Sequence, residues 1–303
     1  MTTSTKVLMV AVLMLATAAH ALGQEMRKVP GGGGLNVAVY EAGDPAGPAI
    51  VFLHGFLGSH LVWGGQLSGG LADEYRLIAV DLRGHGASDK PLQPEAYTNS
   101  ALWAEDVAAV IREHDLDRPV LVGWSYGGYI ISDYLRMFGS EAIGGLVFVG
   151  AVTKAGTEEA QAFLQDELLE IFGGVLSPDL QTSIASTRAF LPLLTAEPLD
   201  DETHEVALAG AMMVPPEVRL AMFSRELDND DILRSVDVPT LVVHGRDDRV
   251  VRVSAAEHIA ATVPGAELLV YDGIGHAPFM EDPERFNGDL REFVRAVRRE
   301  PSQ

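Results

Sequence analysis

The sequence predicts an α/β protein, a doubly wound, mostly parallel sheet with a helical cap inserted late in the chain. Two observations carry that expectation. Short, continuously apolar runs alternate with stretches of helical period, and such runs suit strands covered on both faces, as a parallel sheet requires. From residue 157 to about 231 the alternation stops. Helix-like blocks there are divided by Gly173-Gly174, Pro192, Pro198 and Pro215-Pro216, in a stretch too long for an ordinary loop. The chain is therefore divided into residues 1–21 as an export signal, 22–156 and 232–303 as a core, and 157–231 as the cap.

In chain order, Lys6, an apolar run over residues 7–16 and the small-residue site Ala19-His20-Ala21 form the pattern of a signal cleaved after Ala21. The run is short for a bilayer span, and an uncleaved anchor is the alternative to a cleaved signal. The mature bacterial protein is expected to begin near Leu22, in the periplasm or outside the cell, with no membrane span. Without cysteine there is neither a disulfide nor a cysteine-linked lipid. A formal charge of −21 argues against nucleic acid as a partner, because phosphate backbones need a basic surface. At 303 residues and 47% hydrophobic composition the chain can bury a core of enzyme size.

Gly31 to Gly34 read as a flexible approach to a first strand over residues 35–40, and no Lys-Ser or Lys-Thr follows to make them a phosphate loop. Strands follow at Ala49–Leu53 and 77–80. Trp103, Val107, Val110, Ile111 and His114 then fall on one face of a helix entered through Asn99 or Ser100. Further strands are expected at 120–123, 146–149, 240–244 and 267–271. The last helix starts at Asp282-Pro283, a capping residue and a proline at the first helical position, with Phe286, Leu290, Phe293, Val294 and Val297 facing inward.

The chemistry gathers at the strand ends. In Val120-Leu121-Val122-Gly123-Trp124-Ser125-Tyr126-Gly127-Gly128-Tyr129 an apolar strand stops at a serine and a helix begins, the G-x-S-x-G pattern of a nucleophile elbow. The residues two before and two after the serine must be tiny because the strand and helix backbones nearly touch there. A serine hydroxyl is a poor nucleophile at neutral pH, so it needs a base and a group that orients the base. Asp247 and Asp248 follow the strand at 240–244, and His276 follows the strand at 267–271 in a glycine-rich loop. An oxyanion formed on attack needs two backbone N–H groups, and Tyr126, directly after the serine, supplies one.

His54-Gly55-Phe56-Leu57-Gly58, Asp81-Leu82-Arg83-Gly84-His85-Gly86-Ala87-Ser88, the elbow, Gly245-Arg246-Asp247-Asp248 and Gly275-His276 stand in this order, and nearly the whole mature chain resembles the α/β-hydrolase superfamily. The likeness is to its esterase-, haloperoxidase- and C–C-hydrolase-like members. It implies an eight-stranded sheet and, of the two acids, selects Asp248, three residues beyond the strand-ending glycine, as the partner of His276. It also implies Phe56 as the second oxyanion N–H donor. The family's other acid position, after the strand at 146–149, holds Gly150, Ala151 and Val152.

These readings point to a secreted serine hydrolase. It would cleave small-molecule esters of small to medium acyl groups through an acyl-enzyme on Ser125, with no cofactor and no metal. Perhydrolysis of the haloperoxidase kind, lactone opening and C–C bond hydrolysis use the same three residues and stay open. So does a non-catalytic ligand-binding module on the same fold. His54 and His85 are expected to be structural, and Asp81 and Asp106 to brace loops. In the cap, Phe163, Phe172, Met212, Met213, Met222 and Phe223 are candidates for the wall of an acyl pocket.

Overall fold

A computed structural model of the chain describes residues 25–299. The export signal expected over residues 1–21 lies outside them. In chain order the strands are β1 (Glu25–Pro30), β2 (Asn36–Gly43), β3 (Ala49–Leu53), β4 (Arg76–Asp81), β5 (Val120–Trp124), β6 (Gly145–Val149), β7 (Lys154–Ala155), β8 (Leu227–Asp228), β9 (Thr240–Gly245) and β10 (Glu267–Tyr271). Eight of them form one sheet in the order β1-β2-β4-β3-β5-β6-β9-β10, while β7 and β8 pair separately. β2 runs antiparallel to β1 and β4, and the remaining neighbours are parallel.

Strand periodicity divides the side chains between two layers. Val51, Leu53, Leu121, Leu146 and Phe148 face one side, where α1 (Ser100–Glu113), α2 (Gly127–Phe138) and, further along the chain, Ala255, Ala256 and Ile259 pack. Ile50, Phe52, Val120, Val122, Val147 and Val149 face the other, against Trp63, Phe279, Phe286, Leu290 and Val294. The amphipathic readings hold here. Trp103, Val107, Val110, Ile111 and His114 are all buried, and Asn99 caps α1 by accepting from the Ala101 N–H at 3.0 Å. Each fully buried large apolar side chain of this kind stabilises the fold by about 1.5–3 kcal/mol relative to exposure.

The helices α3 (Glu158–Ala162), α4 (Asp166–Val175), α5 (Leu180–Phe190), α6 (Asp201–Met212) and α7 (Pro216–Met222) occupy the segment that breaks the alternation. Two more, α8 (Val253–Thr262) and α9 (Pro283–Arg299), belong to the sheet's outer layers. α4 to α7 converge on Arg219, a buried guanidinium that donates to the carbonyls of Val175, Ala211 and Val214 and to Ser183 Oγ. Burial pulls its pKa down to about 10. A second buried arginine, Arg225, pairs with Asp133 of α2 at 2.6 Å and fastens this helical layer to the sheet domain.

Three features depart from the sequence reading. β1 precedes the strand read as the first, with an exposed, polar sequence that carries no alternation; it forms as one arm of a hairpin with β2. Gly31 to Gly34 are the turn of that hairpin, pinned where the Gly32 N–H donates to Asp106 Oδ1 at 2.9 Å. The long helical segment also contains one strand, the two-residue β8, too short for any periodicity to reveal.

Candidate active site

Ser125 stands where β5 becomes α2, with φ of 54°, a left-handed conformation that is strained for a side chain larger than glycine. A Cβ at Gly123 would lie 2.7 Å from the carbonyl oxygen of Gly127, and one at Gly127 would lie 2.5 Å from that of Leu53. Any larger residue at either place would push strand and helix apart. The turn is held by Ser125 N–H to Val149 O at 2.9 Å and Gly128 N–H to Ser125 O at 3.0 Å. Ser125 is partly exposed between buried neighbours.

The other two residues reach the same place from β9 and β10. Asp248 is buried, and its Oδ1 accepts the N–H groups of Val250 at 2.7 Å and Val251 at 2.8 Å. Its Oδ2 lies 2.7 Å from His276 Nδ1. Burial alone would raise the Asp248 carboxyl, but the charge and hydrogen bond of His276, with the hydrogen bond from His244, hold it well below the usual carboxylate range. Asp247 is exposed and contributes a backbone N–H to Ile274 O, so of the two adjacent acids only Asp248 meets the imidazole. His276 is set against the end of β6, since a Cβ at Gly150 would lie 3.1 Å from its Nδ1. Ser125, bonded to Val149, stands at the same strand end. The indole N–H of Trp124 donates to the carbonyl of His276 at 2.8 Å and ties the two loops together.

The loop after β3 runs against the serine. A Cβ at Gly55 would lie 2.9 Å from Ser125 Cβ, and Phe56 follows at once. Two buried imidazoles brace this loop. His54 Nδ1 donates to Gly55 O at 2.7 Å while its Nε2 accepts the Leu82 N–H at 3.0 Å. His85 Nδ1 donates to Arg83 O at 3.0 Å while its Nε2 accepts the Leu57 N–H at 3.3 Å. Asp81 and Asp106 also bind loops. Asp81 accepts from the backbone N–H groups of His60 and Ala87, and Asp106 accepts from Arg83 and Gly32.

Burial pulls His54 down to about 4 and His85 to about 3, so both are neutral in the fold. These values lie below the unfolded value of about 6.5. Their contribution to stability is therefore whole above about pH 6.5 and is lost as the pH falls through that value toward 4 and 3. Urea titrations are expected to show unfolding free energy dropping by on the order of 2 kcal/mol or more between about pH 6.5 and about pH 4.5. The slope should be shallower in His54→Asn; an unchanged slope in that variant would contradict the assignment.

A cavity of about 110 Å³ opens beside Ser125, lined by Phe56, Tyr129, Phe172, Phe190, Phe223 and Val251 among others. Of the six cap residues read as candidates, Phe172 and Phe223 line it. Phe163 instead packs at a tilt against His258, Met222 is buried in the core, Met213 is exposed, and Met212 places its sulfur beside Arg219. A second apolar cavity of about 140 Å³ lies on the far side of Phe56 and Phe190, between Trp124, Met280 and α6.

Two contacts have no counterpart in the sequence reading. His244, the penultimate residue of β9, places Nε2 3.1 Å from Asp248 Oδ2. Glu281 accepts the Gly275 N–H beside His276 at 3.0 Å and the Ala196 N–H of the helical segment at 2.7 Å. A histidine ending an apolar run was a signal for the first; nothing local announces the second.

With this geometry in view, comparisons with known proteins agree on one relationship. The family model described as alpha/beta hydrolase fold matches residues 48–283. The chain is similar to a non-heme chloroperoxidase of Streptomyces lividans, 32% identical across 87% of this chain and 97% of that one. It is also similar to a pimeloyl-[acyl-carrier protein] methyl ester esterase of Vibrio cholerae, 28% identical across 86% and 99%. Among solved structures, the esterase RhEst1 from Rhodococcus sp. ECU1013 is 38% identical and superposes with a TM-score of 0.85 over 90% of this chain and 99% of its own.

Proposed function

The chain belongs to the α/β-hydrolase family, and from that premise we propose that it is a secreted serine hydrolase cleaving carboxylic esters of small to medium acyl groups. The observation that carries the reading is the bonded pair of Asp248 and His276 set at the strand end that also holds Ser125. Ser125 Oγ attacks the ester carbonyl as His276 Nε2 takes its proton. Asp248, on Nδ1, fixes the tautomer and stabilises the imidazolium. The backbone N–H groups of Phe56 and Tyr126 meet the oxyanion. The alcohol leaves with the proton from His276, and a water activated by the same imidazole releases the acid. No step calls for a cofactor.

Residues 157–231 serve in this reading as a cap that closes the acyl side. Export rests on the pattern of residues 1–21, and a mature N-terminus at Leu22 in secreted protein checks it; one at Met1 contradicts it. The cavity of about 110 Å³ is smaller than the void of about 150 Å³ that accepts a benzene ring, which favours short acyl groups. A panel of p-nitrophenyl esters from acetyl to decanoyl tests this. Acetyl to butyryl esters are expected to be turned over best, and Phe223→Ala is expected to raise the decanoyl-to-butyryl ratio by about tenfold or more, the scale on which a pocket discriminates added methylenes. No hydrolysis of any ester by folded protein would sink the proposal, and a ratio unmoved by Phe223→Ala would remove the acyl-pocket assignment.

Perhydrolysis is the second reading, favoured by the 32% identity to the chloroperoxidase. Peroxide in place of water would attack the same acyl-enzyme and give a peracid. Halide oxidation that requires both a carboxylic acid and peroxide would distinguish it.

A further inference from the structure

The Asp248 carboxylate accepts three hydrogen bonds and has a fourth close polar neighbour, and only one of these contacts comes from His276. Oδ1 is filled by the N–H groups of Val250 and Val251, and Oδ2 is shared between His276 Nδ1 at 2.7 Å and His244 Nε2 at 3.1 Å. His244 Nε2 also lies 2.9 Å from the carbonyl oxygen of Val251. Both neighbours of that nitrogen are acceptors, so Nε2 carries the proton. Nδ1 is buried without a partner, and a proton there would be an unsatisfied buried donor. The Nε2–H of His244 is therefore shared between the Val251 carbonyl at 2.9 Å and the Asp248 carboxylate at 3.1 Å, and the strand holds the ring completely buried.

We propose that His244 is a positioning residue for the hydrolytic site: its Nε2–H anchors Asp248 Oδ2 and limits how much of the carboxylate's charge falls on His276. The inference rests on the reading of Ser125, Asp248 and His276 as a triad. A carboxylate held only by His276 would pull more strongly on the imidazole proton and turn more freely. A second donor on the same oxygen spreads the charge and fixes the plane of the carboxylate, so His276 keeps one orientation and gives up its proton more readily during turnover. The other charged groups around the pair do not duplicate this contact. Glu281 binds the Gly275 N–H and Asp247 is exposed, while on the same loop Arg246 pairs with Asp272 and Arg249 with Glu167.

The test compares His244→Leu, which loses the donor, with His244→Gln, whose amide reaches the place of Nε2. Two readouts are taken on each: the pH profile of kcat and kcat/KM for the butyryl ester, and the titration of the His276 ring nitrogens by NMR. For His244→Leu the acid limb and the NMR titration of His276 should both move up by on the order of one pH unit, and kcat should fall about tenfold with little change in KM. His244→Gln should stay within about threefold of the original and restore the acid limb. A His244→Leu protein with the original limb, titration and kcat would overturn the proposal. If that variant does not fold, His244→Asn replaces it, since its shorter amide falls near the place of Nδ1; equal profiles for Gln and Asn would then overturn the proposal. Failure of the hydrolase reading would look different, as an original protein that hydrolyses no ester while its His276 titration still shifts on losing the His244 donor.

Discussion

Ser125→Ala and His276→Ala should each lower kcat on the preferred ester by about 10⁴–10⁶-fold, and the double variant should lose little more than either alone. The reason is the division of labour at the elbow. Without the hydroxyl there is no acyl-enzyme, and without the imidazole the hydroxyl keeps its proton and remains a weak nucleophile. Each change disables the same step, so the second removes nothing that the first left working. KM should move little, because the aromatic wall formed by Phe56, Phe172 and Phe223 is untouched. Neither change should unfold the protein. Ser125 is partly exposed and Ala is no bulkier, and the Trp124 bond that fixes the His276 loop goes to the backbone carbonyl. Losses that multiply in the double variant would mean that the two residues act in separate steps.

The second large effect separates two neighbouring acids. Asp248→Asn should lower kcat by about 10³–10⁴-fold, whereas Asp247→Asn should stay within about threefold. The amide at 248 either turns its N–H₂ toward His276 Nδ1, which favours the wrong tautomer, or offers a neutral oxygen, which stabilises the imidazolium far less than a carboxylate does. It also faces two backbone N–H groups and the His244 N–H, all donors, so the buried pocket is matched to an anion. Asp247 is exposed, and its ordered contact is its own backbone N–H to Ile274 O. Steady-state kinetics on the two single variants decides the matter. Comparable losses from both would place the orienting charge somewhere other than Asp248.

Much of the fold was legible because its rules are local. β3 and β10 match the expected ranges residue for residue, since an apolar run bounded by turn residues has few other fates inside an α/β layer. α1 and its Asn99 cap follow from a 3.6-residue period and a capping side chain. β1 was not legible, because its pairing with β2 comes from the hairpin and from Asp106 gripping the glycine turn 74 positions away. The distance between sequence and site is plainest in the cap. Six large apolar residues had equal claims to the pocket, and the way the helical segment packs, which composition does not encode, turned Phe172 and Phe223 toward Ser125 and left Met213 in solvent. His244 was hidden for a related reason, since a polar residue in a buried strand shows its purpose only when the next loop folds back to bring Asp248 beneath it.

The measurement closest to the central claim is incubation of the purified protein with a fluorophosphonate, followed by intact mass and peptide mapping, with Ser125→Ala in parallel. One adduct per chain is expected, on Ser125, absent from the variant and slowed in His276→Ala. Folded protein that takes up no adduct, or that carries it on another residue, would contradict the claim that Ser125 is an activated nucleophile and would favour a ligand-binding role for this site.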